Sequence, residues 1–380
     1  MTLAMLRAET VELAKLAPED ADAWRALCAT EPAFASPLLG PDFAQAVAEV
    51  RGDARVAIWR ESGRAVGFLP HHRRPGGLAR PIGAPLSDYH ALVAQHGLPA
   101  GSALAAAGLR SFRFSGLIDP YAAFPVAARR EAFVISLDGS AEAYLEALRI
   151  SSPKRFKNYR RLDHKLDREI GPLRIVAPDD SRAAFDQLLG WKADQLARTG
   201  ANDFLRPAWT RDLLSNLFAC RQGEFRGLMI NLYAGERLVA GHFGVRQGAV
   251  FHPWIASLDP ELAAWSPGQV LLPRVIAAMP GLGLTTYDLG PGHDHYKRPF
   301  ALAARVLGEG TAVADSVAAR AVKVSDCAWA LLGASRGGPL YRVRSRLDAI
   351  ATVEQSVTGR ALGLAAAVAG SARRAAAPVE

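Results

Sequence analysis

The stretch at 228–257 constrains this 380-residue chain most. Three runs rich in branched and aromatic residues, 228–233, 238–245 and 250–257, are punctuated only by the turn dipeptides Gly235-Glu236 and Gln247-Gly248. Such spacing closes hairpins, so an antiparallel three-stranded meander is predicted. A meander must bury a face against something else, and helical-period segments flank it. Two helices are expected before it, at 181–198 and 207–221, the second opened by Pro207. A third is expected at 266–279, capped by Ser266 with Pro267 at its first position and ended by Gly281 and Gly283. Short strands are predicted at 173–176, 285–289 and 304–313, with a short helix at 296–301.

Upstream, Leu162, Leu166 and Ile170 recur every fourth residue behind a basic run beginning at Lys154, which makes one long amphipathic helix. Asp138 and Ser140 supply cap chemistry for a helix at 141–149. The preceding residues alternate helical patterns (21–30, 41–50, 103–107) with strand patterns (56–60, 65–71, 111–115, 133–137). The fold class is therefore α/β (α+β): a mixed, mostly antiparallel sheet flanked by helices. The expected division is a first unit at 1–145, a second at 146–314, and a helical extension with a frayed tail at 315–380.

Composition narrows the function classes. Hydrophobic residues make up 50% of the chain, enough to fill a core in each unit. Cys28, Cys220 and Cys327 show no metal or disulfide spacing, fit a reducing compartment and are expected as buried small hydrophobes. Charges interrupt the N-terminal apolar residues, and no run of about 18 apolar residues occurs, so no signal peptide or membrane span is expected and the cytoplasm is the expected location. The net charge of +8 favours anionic partners without choosing among them. Walker A, dinucleotide and His-Glu-x-x-His motifs are missing from the sequence.

The element order resembles the GNAT acyltransferase fold. More specifically, the chain is similar to the CelD/BcsL-type family, named for an association with cellulose biosynthesis and related to the FemAB group. The resemblance is carried by Ile150-Ser151-Ser152 with Arg155, Asn158 and Arg160-Arg161; by Trp191-Lys192, Gln195, Thr199-Gly200 and Phe204; by Trp265-Ser266-Pro267-Gly268; and by Asp288-Leu289-Gly290 with Tyr296-Lys297. Gly67-Phe68-Leu69-Pro70 and Asp88-Tyr89 extend it loosely into the first unit. It implies tandem GNAT-like domains, a donor site kept in the second, and acyl transfer from a thioester such as acetyl-CoA, without a metal.

Coenzyme A needs a cradle for its pyrophosphate. Helix N-termini provide one, because their unpaired N–H groups and dipole attract anions. The usual GNAT loop is missing; Ser266-Pro267-Gly268-Gln269 stands in its place. Pro267 has no N–H, so Gly268, Gln269 and Val270 are the candidate donors, with the Ser266 hydroxyl beside them. Pro253 marks either a gap beside the thioester or a simple bulge. Tyr296 is the candidate acid for the leaving thiolate. His242, His252 and Asp288 are candidate bases. Lys297 pairs either with a phosphate or with Asp288. By resemblance, Trp191, Lys192 and Gln195 line the acceptor side. Each residue also has a plain structural reading, as cap, core or solvated edge. The acceptor is an amine or hydroxyl, with a sugar or envelope precursor as the leading class. A tRNA-dependent aminoacyl transferase and a non-catalytic scaffold are the alternatives; nucleic acid has thin support in the basic helix. Arg342, Arg344, Arg346, Arg373 and Arg374 suggest an anionic membrane surface as a further partner.

Overall fold

The structure is a computed structural model that describes residues 7–292, 297–333, 338, 340–354 and 357–365. The strands are β1 (Arg7–Glu12), β2 (Ala54–Glu61), β3 (Arg64–Arg74), β4 (Leu78–Pro81), β5 (Val93–Ala94), β6 (Ser111–Leu117), β7 (Ala128–Ser136), β8 (Leu173–Val176), β9 (Phe225–Ala234), β10 (Arg237–Gln247), β11 (Val250–Leu258), β12 (Thr286–Pro291) and β13 (Ala303–Val313). They form one mixed sheet in the order β1-β2-β3-β4-β6-β13-β7-β12-β11-β10-β9-β8, with β5 attached to β3. The expected meander is β9-β10-β11, antiparallel throughout.

The order repeats itself from either edge. Inward from β1 run three antiparallel pairings, a parallel one (β4 with β6) and an antiparallel one (β6 with β13). Inward from β8 the same series ends in parallel β11 with β12 and antiparallel β12 with β7. The innermost strands are exchanged: β7 follows β6 in the chain but lies against β12, and β13 follows β12 but lies against β6. At the centre β13 and β7 pair over seven residues, from Ala303↔Val134 to Glu309↔Ala128.

The helices are α1 (Pro18–Thr30), α2 (Pro41–Val50), α3 (Ala100–Ala106), α4 (Ala141–Ser151), α5 (Pro153–Glu169), α6 (Arg182–Thr199), α7 (Ala208–Ala219), α8 (Pro267–Ala278), α9 (Arg320–Leu331) and α10 (Tyr341–Val353). One apolar core joins α1, α2, α6 and α7 to the sheet through Trp24, Phe43, Phe185, Leu213 and Phe243. A second seats α4, α5 and α8 on the second half through Leu148, Leu162, Leu166, Leu271 and Ile276. The four-residue apolar spacing of α5 is thus its buried stripe. A third, smaller core lies under α3. The helix α10 is held by its carbonyl end: Arg74 donates to Ala351 and Thr352 O at 2.7 and 3.2 Å, and the Trp209 indole to Val353 O at 3.0 Å. Cations at a helix C-terminus offset its negative dipole end.

Several expectations are corrected. Ser266 stands at the N-cap position of α8 in a left-handed conformation (φ 50°, ψ 52°), closing the turn Pro260–Trp265, and its side chain makes no cap bond, because cap side chains reach the helix N–H groups from the extended region. Pro207 is itself the cap residue of α7, not its first-turn proline. Cys220 and Cys327 are exposed and Cys28 half-buried, all unpaired, so the cysteines are not core residues. The short helix expected at 296–301 is a single turn, Arg298–Phe300. Tyr296, like the neighbouring His293 and His295, lies outside the described residues.

Candidate active site

The site starts from a parallel pair that barely pairs. Strands β11 and β12 share only two register positions, Val250↔Thr286 and Phe251↔Tyr287. On its other side β11 carries a bulge: Gly244 faces Pro253 and Phe243 faces Ile255, which leaves Trp254 as the extra residue. A bulge bends its strand and re-aims the side chains around it. Pro253 thus belongs to a bulge, and the bulge lies close to where β11 and β12 part. Gly244 permits the close approach. A Cβ there would sit 2.0 Å from His252 O and 2.6 Å from Pro253 Cα. Gly244→Ala should cost about 1–3 kcal/mol, by analogy with overpacked cores, and should lower the midpoint of a urea titration.

From β11 the chain runs through the turn at 260–265 into α8. Pro267 and Val270 are buried, while Ser266, Gly268 and Gln269 are partly exposed. The Gln269 N–H is taken by Ser266 O at 2.9 Å, which removes one expected donor from the cradle.

At the parting of the strands lies a buried charged cluster. His252 is fully buried; its Nε2 is 3.0 Å from Asp88 Oδ2 and its Nδ1 3.6 Å from Asp288 Oδ1. Burial alone would lower the imidazole's pKa. The nearby carboxylates of Asp288 and Asp88, the latter hydrogen-bonded to Nε2, outweigh it and raise the value to about 9, so His252 is a cation at neutral pH. Burial likewise disfavours the Asp288 carboxylate, but His252, Arg305 and Tyr89 hold its pKa below the ordinary range. The Tyr89 hydroxyl and the Gly290 N–H (3.0 Å) both donate to Asp288 Oδ1, and Arg305 Nε lies 3.7 Å from Oδ2. The Tyr89 hydroxyl, buried and facing that carboxylate, has its pKa pushed well up.

The second expected histidine is the opposite case. His242 is buried and its Nδ1 bonds the Tyr287 hydroxyl. Burial, then the charges of Lys297 and Lys192, push its pKa down to about 3, so it is neutral. Lys192 is itself lowered, by burial and then by the charge of Lys297. Its ammonium donates to Gln195 Oε1 at 3.1 Å. Trp191 is partly buried against the first core. Lys297 donates to Leu289 O and, at 2.8 Å, to Pro291 O, spanning the end of β12.

The structure thus brings His252 and Asp288 into one cluster, and His242, Lys192 and Lys297 within electrostatic reach of one another. Asp88, Tyr89 and Arg305 complete the cluster without having been singled out as site residues. The only sequence signal was the short Asp88-Tyr89 match. Among the described residues no group of three or more His, Cys, Asp or Glu could hold a metal ion.

A comparison with protein families decides the reaction class. The family model described as acetyltransferase (GNAT) domain matches residues 153–298, which contain both the diverging strands and α8. The chain carries a GNAT acetyltransferase domain. No curated protein matches the chain. Among solved structures, the chain is similar to the C-terminal domain of a proposed lysylphosphatidylglycerol synthetase from Agrobacterium fabrum (15% identity, TM-score 0.47, 82% of this chain and 96% of that one). It is also similar to a tandem GNAT protein from the clavulanic acid biosynthesis pathway (12%, TM-score 0.45, 82% and 99%) and to FemX (10%, TM-score 0.42, 68% and 87%). GNAT chemistry makes the chain an acyltransferase, and no described helix is long and apolar enough to cross a membrane.

Proposed function

We infer that the chain moves an acyl group, acetyl in the simplest case, from acyl-CoA to an amine or hydroxyl. The observation that carries this reading is the parting of β11 and β12 after two paired residues, followed directly by the N-terminus of α8. Unpaired strand edges in the gap can hydrogen-bond the amides of a pantetheine arm. The first turn of α8, with Ser266, Gly268 and Val270, would then face the pyrophosphate with the positive end of its dipole. Coenzyme A would supply the activated thioester; the residues bind, orient and move protons.

Of the two histidines, neutral His242 is the better proton acceptor, with Tyr287 passing the acceptor's proton to its Nδ1. Cationic His252, clamped between two carboxylates, serves to fix the gap. Tyr296 remains the proposed acid for the departing thiolate. Lys192, Gln195 and Trp191 would border the acceptor. The CelD/BcsL resemblance favours a sugar or envelope precursor as that acceptor. A cytoplasmic protein resting on an anionic membrane is supported by the extension, where exposed Val324, Leu331 and Leu332 adjoin Arg320 and Lys323.

The test is calorimetric titration with acetyl-CoA. Gly268→Trp fills the proposed cradle and should weaken binding at least about tenfold while the variant remains folded, since it removes the approach to the helix N-terminus. Binding unchanged in that variant would move the donor elsewhere, and no binding by the wild type would remove acyl-CoA as the donor.

A further inference from the structure

The first half of the sheet repeats the parting strands. Parallel β4 and β6 pair only at Leu78↔Ser111 and Ala79↔Phe112. Beyond these pairs opens a cleft of about 860 Å³, lined by Arg80, Arg113, Arg130 and Arg344, with Asp88 among its wall residues and α10 along one side. The carboxylate of Asp348, on α10, already sits between two of these arginines, 2.9 Å from Arg80 and 2.5 Å from Arg113. Arg130 is different. Its buried Nε has no hydrogen-bond partner, and no carboxylate of a described residue pairs with it. Its charge is nonetheless felt: after burial, it is the largest influence lowering the pKa of nearby His90.

This cleft does not copy the donor site. No helix N-terminus follows β4; the next helix, α3, has seven residues and lies beyond an irregular segment and β5. Arginines stand where backbone donors would be, and guanidinium groups match carboxylate and phosphate oxygens in a fork. Asp88 links the cleft to the parting of β11 and β12. It lines the cleft, and Asp88 Oδ2 holds His252, the first residue of β11 past the paired positions. We propose that this cleft holds the acidic end of the acyl acceptor, a phosphate- or carboxylate-bearing amine or alcohol whose acidic group is held by Arg130 while its reacting group extends past Asp88 to the parting strands. The proposal deepens the acyl-transfer reading and rests on it for the word acceptor.

The experiment titrates the full chain, by calorimetry, with glucosamine 6-phosphate, glucosamine and glucuronic acid, and separately with acetyl-CoA. The wild type should bind the phosphorylated or the carboxylated probe, and whichever binds identifies the acidic group; glucosamine should bind at least about tenfold more weakly, as expected when a charge-assisted contact is lost. Arg130→Gln should lose that preference and keep its acetyl-CoA affinity. Asp348→Asn removes the internal carboxylate and should tighten anion binding, a gain that an unfolded variant would not show. Failure of both anions to bind, equal binding by Arg130→Gln, or loss of acetyl-CoA binding in Arg130→Gln would each overturn the proposal. Anion binding without any acetyl-CoA binding would keep the anion site and refute the donor instead.

Discussion

Asp288→Ala should destabilise the protein by about 3–5 kcal/mol, the usual cost of breaking a buried ion pair from one side. The carboxylate is fully buried and serves Tyr89, the Gly290 N–H, His252 and Arg305 together. Without it, His252 and Arg305 keep their charges in a site with little water to solvate them. Asp288→Asn retains an acceptor for Tyr89 and loses only the charge, so it should fall between. Thermal melts check the order: wild type above Asn above Ala, with Ala lower by roughly 4–6 °C for a chain of this size. A variant melting with the wild type would mean that the cluster is held by its surroundings and not by this carboxylate. The same cluster sets a limit on the alkaline side. The folded pKa of His252, about 9, lies above the ordinary value of 6.5, so the folded state keeps a proton that the unfolded chain releases. That stabilisation is complete below about pH 6.5 and is lost as the pH rises to about 9.

The second large effect is on the acid side. His71, His72, His90 and His242 are buried, and burial lowers their pKa values to about 4, 4, 3 and 3. The folded state keeps them neutral while the unfolded chain would protonate them below 6.5. Their contribution is therefore present above about pH 6.5 and falls as the pH drops towards 4 or 3, each by up to about 1.4 kcal/mol per pH unit. Two units of acidification would withdraw on the order of 10 kcal/mol, comparable to the whole stability of a typical protein. Cooperative unfolding near pH 5, followed by circular dichroism, is the expected result. His242→Gln should shallow the slope. Stability flat from pH 7 to about 4.5 would show that the imidazoles reach water or a counter-charge before global unfolding.

Local chemistry made much of the fold legible. The meander, α2 at Pro41–Val50 and β8 at Leu173–Val176 follow from apolar periodicity and turn residues. Strand β1, Arg-Ala-Glu-Thr-Val-Glu, escaped because it is a half-exposed edge paired on one side only, and its charges mask the alternation. Strand β4 escaped because Arg80 and Pro81 end it among glycines and prolines. The exchange of β7 and β13 has no local signature: each looks like the last strand of its own unit, and only the global pairing puts each in the other. The site divides the same way. His252 and Asp288 were legible as ionisable residues beside a suspected gap. Their roles were not, because Asp88, which with Asp288 makes His252 a cation, is 164 residues away. The conformation of Ser266 was hidden because a cap-forming residue type says nothing of the left-handed backbone that closes the turn before it.

The exchanged strands also bear on the order of folding. The middle of the sheet needs β13, which enters between β6 and β7 about 170–200 residues after either has been synthesised. Until Val313 leaves the ribosome, β6 and β7 each keep one unsatisfied edge, and the nascent chain carries two open templates for strand addition. The seam that joins the halves is thus where a translating chain is most exposed to pairing with a second nascent copy, and its closure is a late event that separates aggregation from the native sheet.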